Sequence, residues 1–106
     1  MTDRELLELA AKAAGKVGGD WVGNDAYLDG VLSQWSPLTN DGDAFRLAMK
    51  LNLDVRFDWH DNEPVVFVGG QWDDAPEAVF EAFERRPDMA ARRAIVRAAA
   101  EIGRVK

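Results

Sequence analysis

The stretch LDVRFDWH, residues 53–60, alternates apolar and polar side chains without a break. Alternation with a period of two is typical of a half-buried β-strand. The segment HDNEP at 60–64 reads as a turn, and the apolar run VVFV at 65–68 follows it before two glycines. These patterns predict an antiparallel hairpin formed by strands at 53–60 and 64–69. The core face of its first strand would carry Leu53, Val55, Phe57 and Trp59.

Helices are predicted on both sides of this hairpin. Thr2 and Glu5 have the spacing of a capping box, which predicts a helix near 3–15. The segment NDGD at 40–43 supplies a helix N-cap and first-turn carboxylates, so a second helix is expected near 41–51. An alanine-rich amphipathic segment predicts a helix near 88–103.

Two other segments give less certain patterns. Asp74, Pro76 and Glu77 resemble a helix start, so a further helix is expected from about 74 to 84, with Val79 and Phe80 facing the core. Between 18 and 39, glycines interrupt several apolar residues. A short hairpin with strands near 21–22 and 31–35 fits that region, and so does an irregular loop.

The whole chain is expected to form one α+β domain, residues 1–106, in which helices cover a small antiparallel sheet. The 106 residues, of which 47% are hydrophobic, suffice for a single core. Side chains expected to be nearly inaccessible to solvent are Leu6, Leu47, Val55, Phe57, Phe67, Ile95 and Ile102.

Composition argues against several classes of protein. There is no cysteine, which excludes disulfides, a thiolate nucleophile and a cysteine zinc site. No apolar run approaches the roughly 20 residues of a membrane span, and the charged N-terminus lacks the apolar centre of a signal peptide. A cytoplasmic location without membrane contact is expected.

No catalytic, metal or cofactor site is predicted. The single histidine, His60, falls at a strand end beside a turn; Asp58 shares its polar face, but Asp61 leaves it, so no dyad or metal site is indicated. Helix capping accounts for the carboxylates at 40–43 without a ligand. The glycine pairs at 18–19 and 69–70 lack the spacing of phosphate-binding loops.

The net charge of −6 is unevenly distributed along the chain. Residues 54–84 contain nine acidic side chains and one basic one, whereas residues 85–106 contain seven basic and two acidic side chains. Because the chain is acidic overall and no aromatic residue lies among the arginines, direct nucleic-acid binding is not favoured. Surface solvation of the arginines, or their pairing with the acidic stripe at 73–84, is preferred. A carboxylate stripe with an adjacent tryptophan is the candidate partner-binding surface, formed by Trp72, Asp73, Asp74, Glu77, Glu81 and Glu84.

Two segments carry a family resemblance: WSPLTNDGDAFRLAMKL at 35–51 and RRAIVRAAAEIG at 92–103. Together with the first helix they resemble a group of small phage and prophage proteins related to the phage ABA-sandwich domain. The resemblance covers about half of the chain and implies helices on both faces of a sheet, without a defined activity. Residues 71–86 depart from it and read as an added helix.

The resemblance and the acidic segment lead to one functional expectation. The chain is expected to be a non-enzymatic phage or prophage accessory protein that binds a host or phage protein, in its most concrete form an anti-CRISPR or anti-restriction inhibitor that uses an acidic surface. The alternative is a structural or regulatory module that self-associates through a sheet edge or exposed tryptophans and has no host target.

Overall fold

The computed structural model describes residues 2–16, 20–22, 25–27, 35–69, 79–82 and 86–104. These residues form three helices and five strands. In chain order they are α1 (Asp3–Ala13), β1 (Asp20–Val22), β2 (Asp25–Tyr27), α2 (Asp41–Lys50), β3 (Asp54–His60), β4 (Glu63–Gly69), β5 (Val79–Ala82) and α3 (Pro87–Arg104).

The helices start where their capping residues predict. At α1 the Thr2 hydroxyl accepts a hydrogen bond from the Glu5 amide at 3.1 Å, and the Glu5 carboxylate accepts one from the Thr2 amide at 3.2 Å. The Asn40 side chain accepts a hydrogen bond from the Asp43 amide at 2.9 Å at the start of α2. Gly15 follows the end of α1 and has a φ of +74°. This left-handed backbone conformation favours glycine. The three helices predicted at 3–15, 41–51 and 88–103 are therefore confirmed.

β3, β4 and β5 form an antiparallel sheet in that order, with β4 in the centre. The β3–β4 hairpin turns through Asp61 and Asn62, whose φ values of 51° and 68° are those of a type I′ turn. Its register pairs His60 with Glu63 and Phe57 with Val66. The hairpin predicted from the alternation of 53–60 is confirmed, and a separate two-stranded pair joins β1 to β2.

α3 is the centre of the fold. It packs against α1, α2, β4 and β5, and half of its 18 residues are buried, most of them alanine or glycine. At Gly103 a Cβ atom would overlap the backbone carbonyl of Leu9, so α1 and α3 approach each other almost backbone to backbone. The buried residues of α3 are Ala90, Ala94, Ile95, Val96, Ala98, Ala99, Ala100, Ile102 and Gly103.

The α+β class is confirmed. Val66 and Val68 of β4 share one core cluster with residues from all three helices, so the helices lie on that face of the sheet. Val65, on the opposite face, is buried but does not belong to this cluster. The described residues thus combine three helices with a three-stranded antiparallel sheet.

The prediction of a helix from about 74 to 84 is wrong for the residues described in that range, 79–82. Val79–Ala82 forms β5, which pairs antiparallel with residues 65–68 of β4. A β-branched residue beside an aromatic one favours a strand, and β5 supplies hydrogen-bond partners along the second side of β4. The remainder of that expected helix lies outside the described residues.

Two aromatic side chains predicted for the core are exposed. Phe57 is 63% exposed and Trp59 is 68% exposed, although both lie on the helix-facing side of β3. The reason is the position of β3 at the end of the sheet order, while α3 covers β4 and β5. Of the other predicted core residues, the buried ones are Leu47, Ile95 and Ile102, and the half-buried ones are Leu6, Val55 and Phe67.

The hairpin expected between 18 and 39 is only partly correct. Its first strand is present as β1, which pairs with β2 at 25–27. Trp35 is buried against the helices, and residues 31–34 lie outside the described ranges. In the part of the chain that the structure describes, no helix is long and apolar enough to cross a membrane.

Phe57→Ala is expected to lower the free energy of unfolding by less than about 1 kcal/mol, because most of the ring is already in water. Val66→Ala, at the opposite position on β4, should cost about 2 kcal/mol or more, because Val66 is fully buried. Urea denaturation of the two variants in dilute solution measures both values. A larger loss for Phe57→Ala than for Val66→Ala would show that β3 is covered in solution.

Candidate protein-binding groove

Several large apolar side chains are exposed to solvent around a groove between α2, β3 and α3. Phe45 and Met49 of α2 are 64% and 58% exposed, and Phe57 of β3 faces the same groove. Trp59 continues the row on β3, and Met89 of α3 is also exposed. Single exposed apolar residues are ordinary on protein surfaces, but several large ones around one concavity mark an interaction site.

The groove has an apolar floor and encloses about 780 Å³, a volume within the range of pockets that bind ligands. We name it the α2–β3 groove. Its walls are Phe45, Met49 and Phe57, and its floor is formed by Ala44, Ala48, Leu53, Val55, Ala91 and Ile95.

The sequence of α2 explains why Phe45 and Met49 remain outside the core. Ala44, Leu47 and Ala48 form one apolar stripe, which is buried against α3. Phe45 and Met49 are four residues apart and form a second stripe beside the first. One helix face of ordinary width cannot bury both stripes, so the second stripe faces the groove.

One end of the groove carries an ionic cluster. The nearly buried Arg92 guanidinium contacts the carboxylate of Asp41 at 2.5 Å and that of Asp88 at 3.6 Å, and its Nε donates to the carbonyl of Leu38 at 2.8 Å. Asp41 is largely exposed. Because Arg86 also pairs with Asp88 at 3.1 Å, the cluster contains two carboxylates and two guanidinium groups, and Asp41 is its exposed carboxylate.

Asp88 is also bound at the first turn of α3. A hydrogen bond from the Arg86 side chain, and a second from the Met89 amide, lower the pKa of Asp88 from 3.8 to about 2. A carboxylate with a lowered pKa in the folded state stabilises that state above its ordinary pKa, and this contribution is lost as the pH falls toward 2. The Asp88 carboxylate therefore remains ionised, and paired with Arg86, through the neutral and mildly acidic range.

The predicted acidic stripe cannot be assembled from the described residues. Trp72, Asp73, Asp74, Glu77 and Glu84 all lie outside them. Glu81 is on β5, where its carboxylate contacts Arg97 at 3.1 Å and Arg93 at 3.4 Å. Arg93 also donates to Asp3 at 3.0 Å, so Glu81 takes part in a network that joins β5, α3 and α1.

The arginines at the two ends of α3 also have acidic neighbours. Arg86, just before the helix, pairs with Asp88 at 3.1 Å, and Arg104 pairs with Glu101 at 3.1 Å. Asp88 and Glu101 lie outside the acidic stripe, so among the described residues the predicted pairing of arginines with the stripe is seen at Glu81.

The polar motifs examined for chemistry have structural partners. The Asp43 carboxylate is buried, accepts from the Ser36 amide at 2.9 Å and contacts Arg46 at 2.7 Å. His60 ends β3, and its side chain lies outside the described part. In the described ranges no group of three or more histidine or carboxylate side chains is placed to hold a metal ion.

The tryptophans differ in their environments. Trp35 is buried and lies within 5.9 Å of the Lys16 ammonium, while Trp21 is half-buried with the Arg4 guanidinium 4.5 Å from its ring centre. Trp59 is the exposed one of the three that the structure describes. Sequence reasoning missed the groove, although the second apolar stripe at Phe45 and Met49 was a signal for it.

No family model, curated protein or solved structure matched this chain when it was compared with them. The comparisons therefore add nothing to the resemblance with the phage ABA-sandwich group, and the groove has to be interpreted from its own geometry.

Glu81→Lys is expected to lower the free energy of unfolding by about 1–2 kcal/mol, because a third cation would replace the carboxylate between Arg93 and Arg97. Glu101→Lys makes the same charge change at an exposed position near the end of α3 and should have almost no effect. Thermal or urea unfolding compares the two. Equal effects would mean that Glu81 is a solvated surface residue, as the sequence pattern had indicated.

Proposed function

We propose that this protein is a non-enzymatic binding module whose α2–β3 groove receives an amphipathic helix of a protein partner. The observation that carries the proposal is the exposure of Phe45, Met49 and Phe57 around one apolar concavity. Burying such side chains against a partner is favourable by roughly 25 cal/mol for each Å² of apolar surface.

The chemistry of the groove defines the helix that fits it. Methionine and aromatic side chains adapt to an apolar helix face, which inserts residues spaced at i, i+3, i+4 and i+7. The largely exposed carboxylate of Asp41, at one end of the groove, favours a lysine or arginine at the corresponding end of that helix. The partner segment is therefore apolar on one face and basic at one terminus.

A narrower form of the proposal places the chain among phage anti-defence proteins that act in the cytoplasm of the host. Its support is the sequence resemblance and the acidic charge of 54–84. The structure adds the exposure of four carboxylates on the β3–β4 hairpin, Asp54, Asp58, Asp61 and Glu63. This negatively charged surface would attract a basic host protein and occupy the channel in which that protein binds nucleic acid.

The test is affinity capture with a variant of the groove. Phe45→Glu combined with Met49→Glu should reduce recovery of the partner at least tenfold, because two charges would be buried on binding. Both positions are exposed, so the helix and the melting temperature should change little. Quantitative mass spectrometry of proteins captured from cells that carry the gene measures the recovery.

The matched control is Lys50→Gln combined with Lys12→Gln, which lowers the net charge by the same two units at two exposed helix positions that do not line the groove. It should capture the same partner as the unmodified protein. If the groove variant and the control retain the partner equally, another surface does the binding. If every protein captured by the unmodified chain is also captured by the groove variant, or if neither captures a protein, the proposal of a groove-bound partner is wrong.

A further inference from the structure

A second cavity lies between the end of α1 and α2, apart from the α2–β3 groove. It encloses about 390 Å³, a volume within the range of pockets that bind small molecules. No described residue lines both cavities. We name the second cavity the basic pocket, because three cationic side chains line it: Lys16, Arg46 and Lys50.

The basic pocket also has an apolar part, formed by Ala14, Trp35 and Leu47, all of which are buried. Among the described lining residues no carboxylate accompanies the three cations. A small-molecule site usually combines an apolar lining with a few charged or polar groups that orient the ligand. In a chain with a net charge of −6, a cavity with this lining is suited to an anion that also has an apolar part.

The placement of the cations is unfavourable without an anion. Arg46 and Lys50 are four residues apart on α2, so their side chains are neighbours on the helix surface, and like charges at this spacing destabilise a helix. The macrodipole of α2 favours a cation in its last turn, which accounts for Lys50. It does not account for the convergence of Lys50 with Arg46 and Lys16 on one cavity. An anion bound between them would remove the repulsion.

Two of the three cations are held in place by the protein itself. Nη2 of Arg46 donates to the buried carboxylate of Asp43 at 2.7 Å. Since a guanidinium has five N–H donors, Arg46 keeps donors for a ligand. The Lys16 ammonium lies 5.9 Å from the centre of the Trp35 ring, within the range of a cation–π interaction. Side chains that are already positioned lose less conformational entropy when a ligand binds.

We propose that the basic pocket binds a small organic phosphate, with its phosphate groups between the three cations and its organic part against Trp35 and Leu47. Arginine offers a planar fork and lysine a compact charge, and both bind phosphate oxygens through charge-assisted hydrogen bonds. A phosphate group carries more than one negative charge at neutral pH, so it neutralises neighbouring cations better than a carboxylate does. The inference goes beyond the groove proposal, because the cavity, its lining residues and the class of ligand are different.

The experiment is isothermal titration calorimetry of the purified chain at low ionic strength, with ADP, UDP and inorganic pyrophosphate as probes. Both nucleotides are expected to bind with a Kd of about 1 mM or lower, and pyrophosphate should bind less tightly because it has no organic part. Lys50→Gln should weaken nucleotide binding about fivefold or more, since it removes a charge-assisted hydrogen bond. In an NMR titration ADP should shift the signals of the Trp35 indole and the Leu47 amide, which places the ligand in the pocket.

Lys12→Gln is the matched control, because Lys12 is an exposed lysine in the last turn of α1, as Lys50 is in that of α2, but does not line the pocket. It should leave the Kd nearly unchanged. An equal effect of the two variants on nucleotide binding, or the absence of nucleotide binding at about 5 mM, would overturn the site. Pyrophosphate that binds as tightly as ADP would overturn the contact of the organic part with Trp35 and Leu47. These readouts need no protein partner, so they are independent of the capture experiment on the groove.

Discussion

The close approach of α1 and α3 is the constraint on which the rest of this structure depends. Gly103 lies against the backbone carbonyl of Leu9, and alanines on both helices fill the remaining contact. Alanine and glycine bury little surface individually, but they let helices meet at short distance, where many weak dispersion contacts add up. α3 is thereby held between α1 and the sheet, with Val66 and Val68 packed against its other side.

The use of small side chains in the core leaves some large apolar side chains on the surface. A core built largely from alanine, valine and a few larger residues has no room for every aromatic side chain of the chain. Phe45, Phe57 and Trp59 are left in solvent at one side of the molecule, where α2 and the edge strand β3 extend past the cover of α3. The apolar groove is thus a result of this packing arrangement.

Local patterns in the sequence predicted most of the backbone and little of the site. The capping box at Thr2, the Asn40 cap and the alternation of 53–60 act through adjacent residues, and each is present in the structure. Alternation identifies the face of a strand but not whether another layer covers it, so Phe57 was wrongly placed in the core. Glu81 was wrongly assigned to a helix, because its environment is set by tertiary contacts that a local pattern does not contain. Its carboxylate pairs with Arg93 and Arg97 of α3.

The most direct test of the central packing claim is the stability of Gly103→Ala, measured by urea denaturation against Gly42→Ala. Glycine to alanine inside a helix normally stabilises by about 1 kcal/mol, and Gly42→Ala, near flexible side-chain ends only, should be neutral or slightly stabilising. The account predicts that Gly103→Ala instead destabilises by about 2 kcal/mol or more, because the new methyl group forces α1 away from α3. A Gly103→Ala protein as stable as the original, or more stable, would contradict it.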